Sequence, residues 1–553
     1  MTLTTNIRKH ALENAIKYEG KANLGSVIGK VIAEYPTEEK NKLIKQVQEI
    51  VQTINKLTLA EQLKEAEQHY PELLEKKEKK KEERILPELP NVGKNVVMRF
   101  APYPSGPLHI GNARPALLND EYCKKYKGKL LLIIDDTIGS EEKNILKEAY
   151  DLIPEGLAWL GINHDKTIIY KSDRLELYYQ YAEQLIQKGA AYICTCPSEQ
   201  LREKRAAGIA CGCRQQTTEQ TLLAWKNLFT AKEGSAALRI KTDIQHPNPA
   251  FRDRVLFRIS DREHPRVGKK YRVWPMLEFS WAIDDYLLGI THIIRGKELM
   301  IESDMQKFIW NIFGWKGPEL LHTGLIQFEG VKLSKSKSKK EVQSGQYTGW
   351  DDPRTFSLQS MQRRGIRPEA LRTFILSFGM NQTEITAPID TLYGENRKLI
   401  NTEANRYFFI STMKKLTLKK LPTTLTKTTA PLHPEDPKRG IRTFNITNEF
   451  YIDDDLEEGK TYRLMHFCNF KNETYISTEV DQTLGAKMIH WLPNTKDLIK
   501  IKIRMDDGTE IHGYGESNLK NVQEGHMIQF ERQFFARLDA KGKDYYEFWF
   551  AHR

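Results

Sequence analysis

Between Asn95 and Asp136 apolar runs alternate with a turn-rich break. NVVMRFA (Asn95–Ala101) is a short apolar strand, and PYPSGP (Pro102–Pro107) is a loop that can continue neither strand nor helix. A helix is predicted from Ile110 to Gly128, with Pro115 tolerable only in its first turn. KLLLIIDD (Lys129–Asp136) is apolar until its end, as a parallel strand buried on both faces must be. The unit reads β–loop–α–β, the opening of a doubly wound nucleotide-binding fold. A further helix is predicted from Ser172, as N-cap, to Gly189, with Leu175, Tyr178, Ala182 and Leu185 on one stripe. Strand and helix signals return between Tyr271 and Arg295, so the stretch between them is an insertion in that fold.

The two ends of the chain have other patterns. Residues 1 to about 90 read as charged helices ending in EKKEKKKEER (Glu75–Arg84), a run that suits a solvated helix face or a linker. Leu416–Pro437 is rich in Lys, Thr and Pro and reads as a domain linker. Beyond it the period becomes two. In LIKIKIRMDDG, Ile499, Ile501, Ile503 and Met505 share one face, Lys500, Lys502 and Arg504 the other as a basic, solvated face suited to a nucleic-acid backbone, and Asp507-Gly508 supplies a hairpin turn. With the aromatic strand YYEFWFAHR at the end, the last hundred or so residues are β-rich, and barrels are the expected packing.

Composition narrows the class. A chain of 553 residues exceeds one compact core, so several domains are expected. No stretch approaches the roughly 20 apolar residues of a membrane helix, and MTLTTNIRKHALENAIKYEG lacks the apolar core of a secretory signal; both point to the cytoplasm. A formal charge of +11 favours a polyanionic partner. Of six cysteines, Cys123 and Cys468 stand alone, whereas Cys194/Cys196 and Cys211/Cys213 form two C-x-C pairs. Clustered thiols in a reducing compartment point to a metal rather than to disulfides.

Two segments carry candidate chemistry. PLHIGNA (Pro107–Ala113) sits where a helix N-terminus presents unpaired N–H groups and partial positive charge, which suits a triphosphate. Gly111 permits close backbone approach, and His109 can donate to a phosphate oxygen. Far downstream, GVKLSKSKSKK (Gly330–Lys340) reads as a mobile cationic loop. Alone, the first has an ordinary structural alternative as a helix start, and the second as a solvated basic loop. Together, HIGN (His109–Asn112) and KLSKS (Lys332–Ser336) resemble the paired His-Ile-Gly-His and Lys-Met-Ser-Lys-Ser signatures of class I aminoacyl-tRNA synthetases. Longer stretches narrow the resemblance to the glutamyl-tRNA synthetase family in its archaeal and eukaryotic-type branch. These are RFAPYPSGPLHIGNARPALLNDEY, Tyr271–Leu299, Tyr347–Arg372, MIHWLP (Met488–Pro493) and IQFERQFFARLD (Ile528–Asp539).

The resemblance covers residues 85–553 and implies a multidomain α/β chain with a Rossmann-like catalytic domain, a zinc-type insertion, a helical connecting domain and C-terminal β-barrels. The expected division is an N-terminal helical region over 1–90, catalytic halves over 91–190 and 269–340, and an acceptor-end insertion over 191–268. A connecting domain over 341–415 and an anticodon-binding region over 416–553 follow. Implied partners are L-glutamate, ATP with Mg²⁺ and tRNA(Glu), with tRNA(Gln) as a second acceptor to consider, and a monomeric enzyme.

The resemblance also assigns residues. His109, Lys332 and Lys335 carry catalysis, and Gly111, Asn112 and Ser334 join them around ATP. Arg99 and Arg295 match positions that bind glutamate, a task an Arg fork suits, and Asp135 matches an acidic position near the substrate ammonium. The related glutaminyl enzymes lack an arginine matching Arg295. Its structural alternative is an arginine at a helix start, paired to Glu298. Cys194, Cys196, Cys211 and Cys213 lie where the family carries its zinc-binding insertion, and four thiolates suit tetrahedral Zn²⁺. The chain departs from the family at Asn112, the last position of the first signature, and in IIDDTIG (Ile133–Gly139), where Ile133 and Ile138 replace an arginine and an aspartate. The alternatives are a glutaminyl enzyme, or a synthetase-like tRNA-binding protein with impaired catalysis.

Overall fold

The computed structural model describes residues 3–17, 20–35, 40–73, 86–140, 144–331 and 335–553, and the chain divides into two compact units, Met1–Glu83 and Arg84–Arg553. In the first unit, helices α1 (Leu3–Lys17), α2 (Leu24–Glu34), α3 (Lys40–Ile54) and α4 (Leu59–His69) bury one core. Leu43, Val47, Val51 and Ile54 recur at helical spacing on the buried face of α3. Thr58 and Glu61 close a capping box that starts α4. The charged run Glu75–Arg84 lies outside the described residues.

The second unit opens with β1 (Val97–Phe100), α5 (Ala113–Lys125), β2 (Lys129–Ile134), α6 (Ala149–Trp159), β3 (Ile169–Tyr170) and α7 (Leu175–Gln187). Next come β4 (Ala191–Cys194), α8 (Ser198–Ala206), α9 (Thr218–Leu228), β5 (Ala237–Ile240), β6 (Val255–Ile259) and β7 (Val273–Pro275). The catalytic sheet then resumes with α10 (Leu277–Leu287), β8 (His292–Gly296), α11 (Met300–Phe313), β9 (Glu319–Thr323) and, after a short strand, α12 (Lys335–Gln343).

The first sheet is parallel with strand order β3-β2-β1-β8-β9. Strands β4 to β7 form a separate antiparallel sheet inserted between its halves. Leu130, Leu132 and Ile134 face one core and Leu131 and Ile133 another, which is why β2 is apolar at every central position. Chain order reverses between β1 and β8, and the crevice beyond their carboxyl ends is where such folds bind ligand. Arg99 and Arg295 stand near those two ends.

Three expectations need correction. Ser172 is not the N-cap of α7. Arg174 holds that position, and the Ser172 N–H and Oγ donate at 2.8 and 2.7 Å to the buried carboxylate of Asp136, which needs donors more than the helix end does. Leu416–Pro437 is not a linker, because Lys414–Thr417 and Lys427–Pro431 are strands paired to Glu449–Ile452 and Ile441–Asn445. β structure begins earlier, at Asn405, where a seven-stranded sheet starts. Its first and last members, Asn405–Tyr407 and Phe409–Ile410, are consecutive in the chain, so the sheet nearly closes into a barrel.

The third correction is electrostatic. In the hairpin of Ile499–Arg504 and Glu510–Gly515, Ile499, Ile501 and Ile503 are buried as expected. Lys500 is exposed, but Lys502 is buried, 2.8 Å from Glu547, and Arg504 is 3.1 Å from Glu510. Two of the three cations on that face are therefore neutralised within the barrel.

Candidate active site

A cleft of about 930 Å³ opens at the sheet's reversal point, bordered by Phe100, Leu108, Asn112, Asp135, Trp281 and Lys339. Its floor is set by the turn between β1 and α5. The His109 Nδ1 accepts from the Gly111 N–H at 3.1 Å, and the Asn112 Oδ1 accepts from the His109 N–H at 3.3 Å. With Nδ1 an acceptor, the neutral ring carries its proton on Nε2, the donor that a phosphate oxygen requires. Asn112 thus closes the turn through a hydrogen bond. The N-terminus of α5 adds partial positive charge beside it.

The two arginines are differently engaged. Arg99 is buried and grips Asp285 with two bonds, one from Nε and one from Nη2 at 2.9 Å. Arg295 is also buried, and its Nη2 donates to Ser303 Oγ and, at 2.6 Å, to Gln306 Oε1. Its Nε and Nη1 are buried with no hydrogen-bond partner. Burial, then the charge of Arg99, pulls the Arg295 pKa down to about 9, so the group remains charged at neutral pH. Arg295 lies inside β8 rather than at a helix start and bonds to α11, not to Glu298, which is exposed. Two buried donors without acceptors are costly unless a ligand supplies an acceptor.

Asp135 follows β2, with its N–H bonded to the Pro102 carbonyl at 3.1 Å. Its Oδ1 lies 3.4 Å from the Lys171 ammonium, and its Oδ2 is buried without a hydrogen-bond partner. The indole of Trp281 sits among cations: Arg99, Arg295 and Lys171 lie 4.8, 5.0 and 5.2 Å from its ring centroid. The sequence reading missed Lys171, Trp281, Asp285, Ser303 and Gln306. A signal existed in the helical spacings Trp281–Asp285 and Ser303–Gln306, each of which puts two side chains on one face.

In the second signature, Lys332 and Ser334 lie outside the described residues. From Lys335 the chain is helical, not a loop, and α12 brings Lys339 and Lys340 to the cleft. The serines and lysines there have adequate helix propensity and no glycine or proline interrupts them. Ile133 packs with Leu131, Ile290 and Ile293, and Ile138 with Phe279, Ala282 and Ile283. The departures from the family at these positions are thus absorbed by apolar packing.

The inserted sheet holds the cysteines. Cys194 ends β4, Cys196 follows it, and Cys211 and Cys213 flank the start of a 3₁₀ turn over Gly212–Gln215. The four Sγ atoms lie within 4.8 Å of one another, and the Cys194–Cys211 and Cys196–Cys213 separations are both 3.8 Å. Zn–S bonds of about 2.3 Å in a tetrahedron place sulfurs about 3.8 Å apart, so this donor set fits zinc. All four cysteines are free thiols.

Among the described residues, no helix is long and apolar enough to cross a membrane. The catalytic domain of class I tRNA synthetases (E and Q) matches residues 95–401, and the anticodon-binding domain of the same class matches residues 404–487. A glutamate–tRNA ligase of Methanothermobacter thermautotrophicus is 42% identical over 99% of this chain and 99% of its own. That of Methanocaldococcus jannaschii is 41% identical over 98% of this chain and 99% of its own, and that of Methanobrevibacter smithii is 42% identical over 99% of each. Domain matches, full-length relatives and a parallel sheet with a charged cleft at its reversal point agree: the chain belongs to the class I aminoacyl-tRNA synthetases of the glutamate and glutamine type.

Proposed function

We propose that this enzyme uses ATP to join L-glutamate to tRNA(Glu) through a glutamyl-adenylate. The observation that carries the choice of amino acid is the buried Arg295 guanidinium, with Nε and Nη1 lacking partners. A side-chain carboxylate satisfies both N–H groups and the charge together, whereas a carboxamide leaves the charge unpaired. The unpartnered Oδ2 of Asp135 suits the substrate ammonium.

In the first step a glutamate α-carboxylate oxygen attacks the α-phosphorus of ATP, the bond to the β-phosphate oxygen breaks, and diphosphate leaves. His109 Nε2, the backbone at Gly111, the Asn112-closed turn and the lysines of KLSKS, Lys332 and Lys335, stabilise the charge that develops on phosphate, and Ser334 contributes to ATP binding. Mg²⁺ accompanies ATP and offsets phosphate charge when bound. In the second step a hydroxyl of the tRNA terminal ribose attacks the adenylate carbonyl, and AMP leaves. The insertion over 191–268 meets the acceptor end, with its fold stapled by Zn²⁺ on Cys194, Cys196, Cys211 and Cys213. The β-rich region from 405 to 553 reads the anticodon, and the segment over 341–404 connects them. The enzyme works in the cytoplasm as a monomer. An enzyme that has lost catalysis is disfavoured by the packing of Ile133 and Ile138 into apolar clusters, away from the cleft.

Amino-acid-dependent exchange of labelled diphosphate into ATP, with tRNA present, tests this reading. Exchange with glutamate at least about a hundredfold more efficient than with glutamine is expected from the buried charge. Equal exchange, or exchange with glutamine alone, overturns it.

A further inference from the structure

One buried cation behind the cleft wall has no role in the assignments above. Lys171 follows β3 and is fully buried, with 0% of its side chain exposed. Its ammonium donates to Ser280 Oγ at 2.7 Å, lies 3.4 Å from Asp135 Oδ1 and stands 5.2 Å from the Trp281 ring centroid. Its one hydrogen bond goes to Ser280, and what it offers the site is its ion pair with Asp135 and its charge.

The charge count is informative. Around Trp281 and Asp135 the cations Arg99, Arg295 and Lys171 face the carboxylates of Asp135 and Asp285, and these five groups sum to one positive charge, with Glu302, which shares Arg254 with Glu278, acting on Arg295 from outside the set. Asp284 is separately engaged by Arg174 at 2.8 Å and by the Tyr178 hydroxyl at 2.6 Å. Glutamate, with one ammonium and two carboxylates, carries one negative charge and closes the balance. Without Lys171 these groups sum to zero before substrate enters, and the part of the preference for glutamate that comes from their net charge is lost, while the part that comes from Arg295 remains.

We propose that Lys171 is a positioning and specificity residue for the amino acid: it tethers Asp135 by Oδ1 so that Oδ2 faces the substrate ammonium, and it supplies the charge that favours glutamate. This rests on the glutamate reading of the cleft and deepens it. Burial lowers the pKa of Lys171 and the charge of Arg99 adds to that shift, while Asp135, Asp284 and Asp285 oppose it.

The test begins with the wild-type chain: if it does not activate glutamate, the glutamate reading fails, whatever Lys171 does. If it does, Lys171→Met is compared with it, since Met matches the length and suits burial. The glutamate KM is expected to rise about tenfold or more, the usual scale for losing a hydrogen bond to a charged group, and the glutamate-to-glutamine ratio of kcat/KM to fall similarly, with the ATP KM little changed. In an Asp135→Asn background, where no carboxylate is left to tether, Lys171→Met is expected to add little to the glutamate KM, while the glutamate-to-glutamine ratio still falls because the Lys171 charge is lost. This double variant also buries no lone carboxylate, so it serves where Lys171→Met alone does not fold. An unchanged glutamate-to-glutamine ratio in folded Lys171→Met overturns the proposal, as does a glutamate KM that rises in the Asp135→Asn background by as much as it does in the wild-type background.

Discussion

Replacing Arg295 with alanine isolates the charge that the account makes responsible for amino-acid choice. In the folded protein its Nη2 is committed to Ser303 and Gln306, while Nε and Nη1 are buried and unpaired. Ser303 Oγ keeps a 2.7 Å bond to His322, and Gln306 Nε2 keeps one of 2.7 Å to Asp285, so the local network survives loss of the guanidinium. Arg99 also keeps Asp285. The substrate's side-chain carboxylate instead loses its partner. Removing one member of a buried pair costs about 3–5 kcal/mol, and even the lower figure is on the order of a hundredfold in kcat/KM for glutamate. Glutamine has no charge to lose and should suffer far less. The assay is steady-state activation of each amino acid with tRNA present, alongside thermal melts to confirm folding. The reasoning is refuted if the folded variant keeps the wild-type preference, or if both amino acids and ATP lose activity in parallel.

Three further outcomes are expected. Lys335→Ala should slow single-turnover adenylate formation about 10²-fold with little change in substrate affinity, as removal of a group acting on developing charge does; wild-type rates would remove Lys335 from the mechanism. Elemental analysis should find about one zinc per chain, and Cys211→Ser should abolish it without loss of the parallel sheet, because the cysteines sit in a separate inserted sheet; zinc retained in that variant would contradict the assignment. His552 accepts from Asn396 at 3.0 Å and faces the Arg553 carbonyl, and burial lowers its pKa from 6.5 to about 4. The unfolded chain therefore takes up the proton first, so this stabilisation, roughly 3 kcal/mol, is complete above pH 6.5 and lost as pH falls toward 4. In His552→Gln the loss of melting temperature between pH 7 and pH 5 should shrink, and an unchanged loss would locate the effect elsewhere.

Much of this architecture was legible because burial writes itself locally. The unbroken apolar run of β2 marks a strand covered on both faces, and the alternation from Ile499 to Ile503 marks a strand covered on one. The two signatures were legible only as a pair, through their resemblance to those of the class I synthetases, since each alone reads equally as a helix start or a solvated basic segment. What escaped were contacts made across distance. Lys502 reads as a solvated cation until its register partner, Glu547, is known to be the facing residue on a neighbouring strand. Lys171 and Asp135 meet only because β2 and β3 are adjacent. Ser172 has the composition of a cap, but the buried carboxylate of Asp136 claims its donors. The Lys- and Thr-rich stretch after Leu416 lacks apolar periodicity because its strands contribute few core residues, Leu416, Leu418 and Ala430 among them.

The central claim is that the cleft at the sheet's reversal point selects glutamate by charge and passes it to tRNA. Charging of total tRNA by the purified chain, with labelled glutamate and glutamine in parallel, tests it most directly. Periodate oxidation of the terminal ribose serves as the control for attachment at that end. The account predicts ATP-dependent, acid-precipitable label from glutamate, none after periodate treatment, and label from glutamine at least about a hundredfold less efficiently. Label from glutamine at comparable efficiency, or none from either amino acid with ATP and Mg²⁺ present, would contradict it.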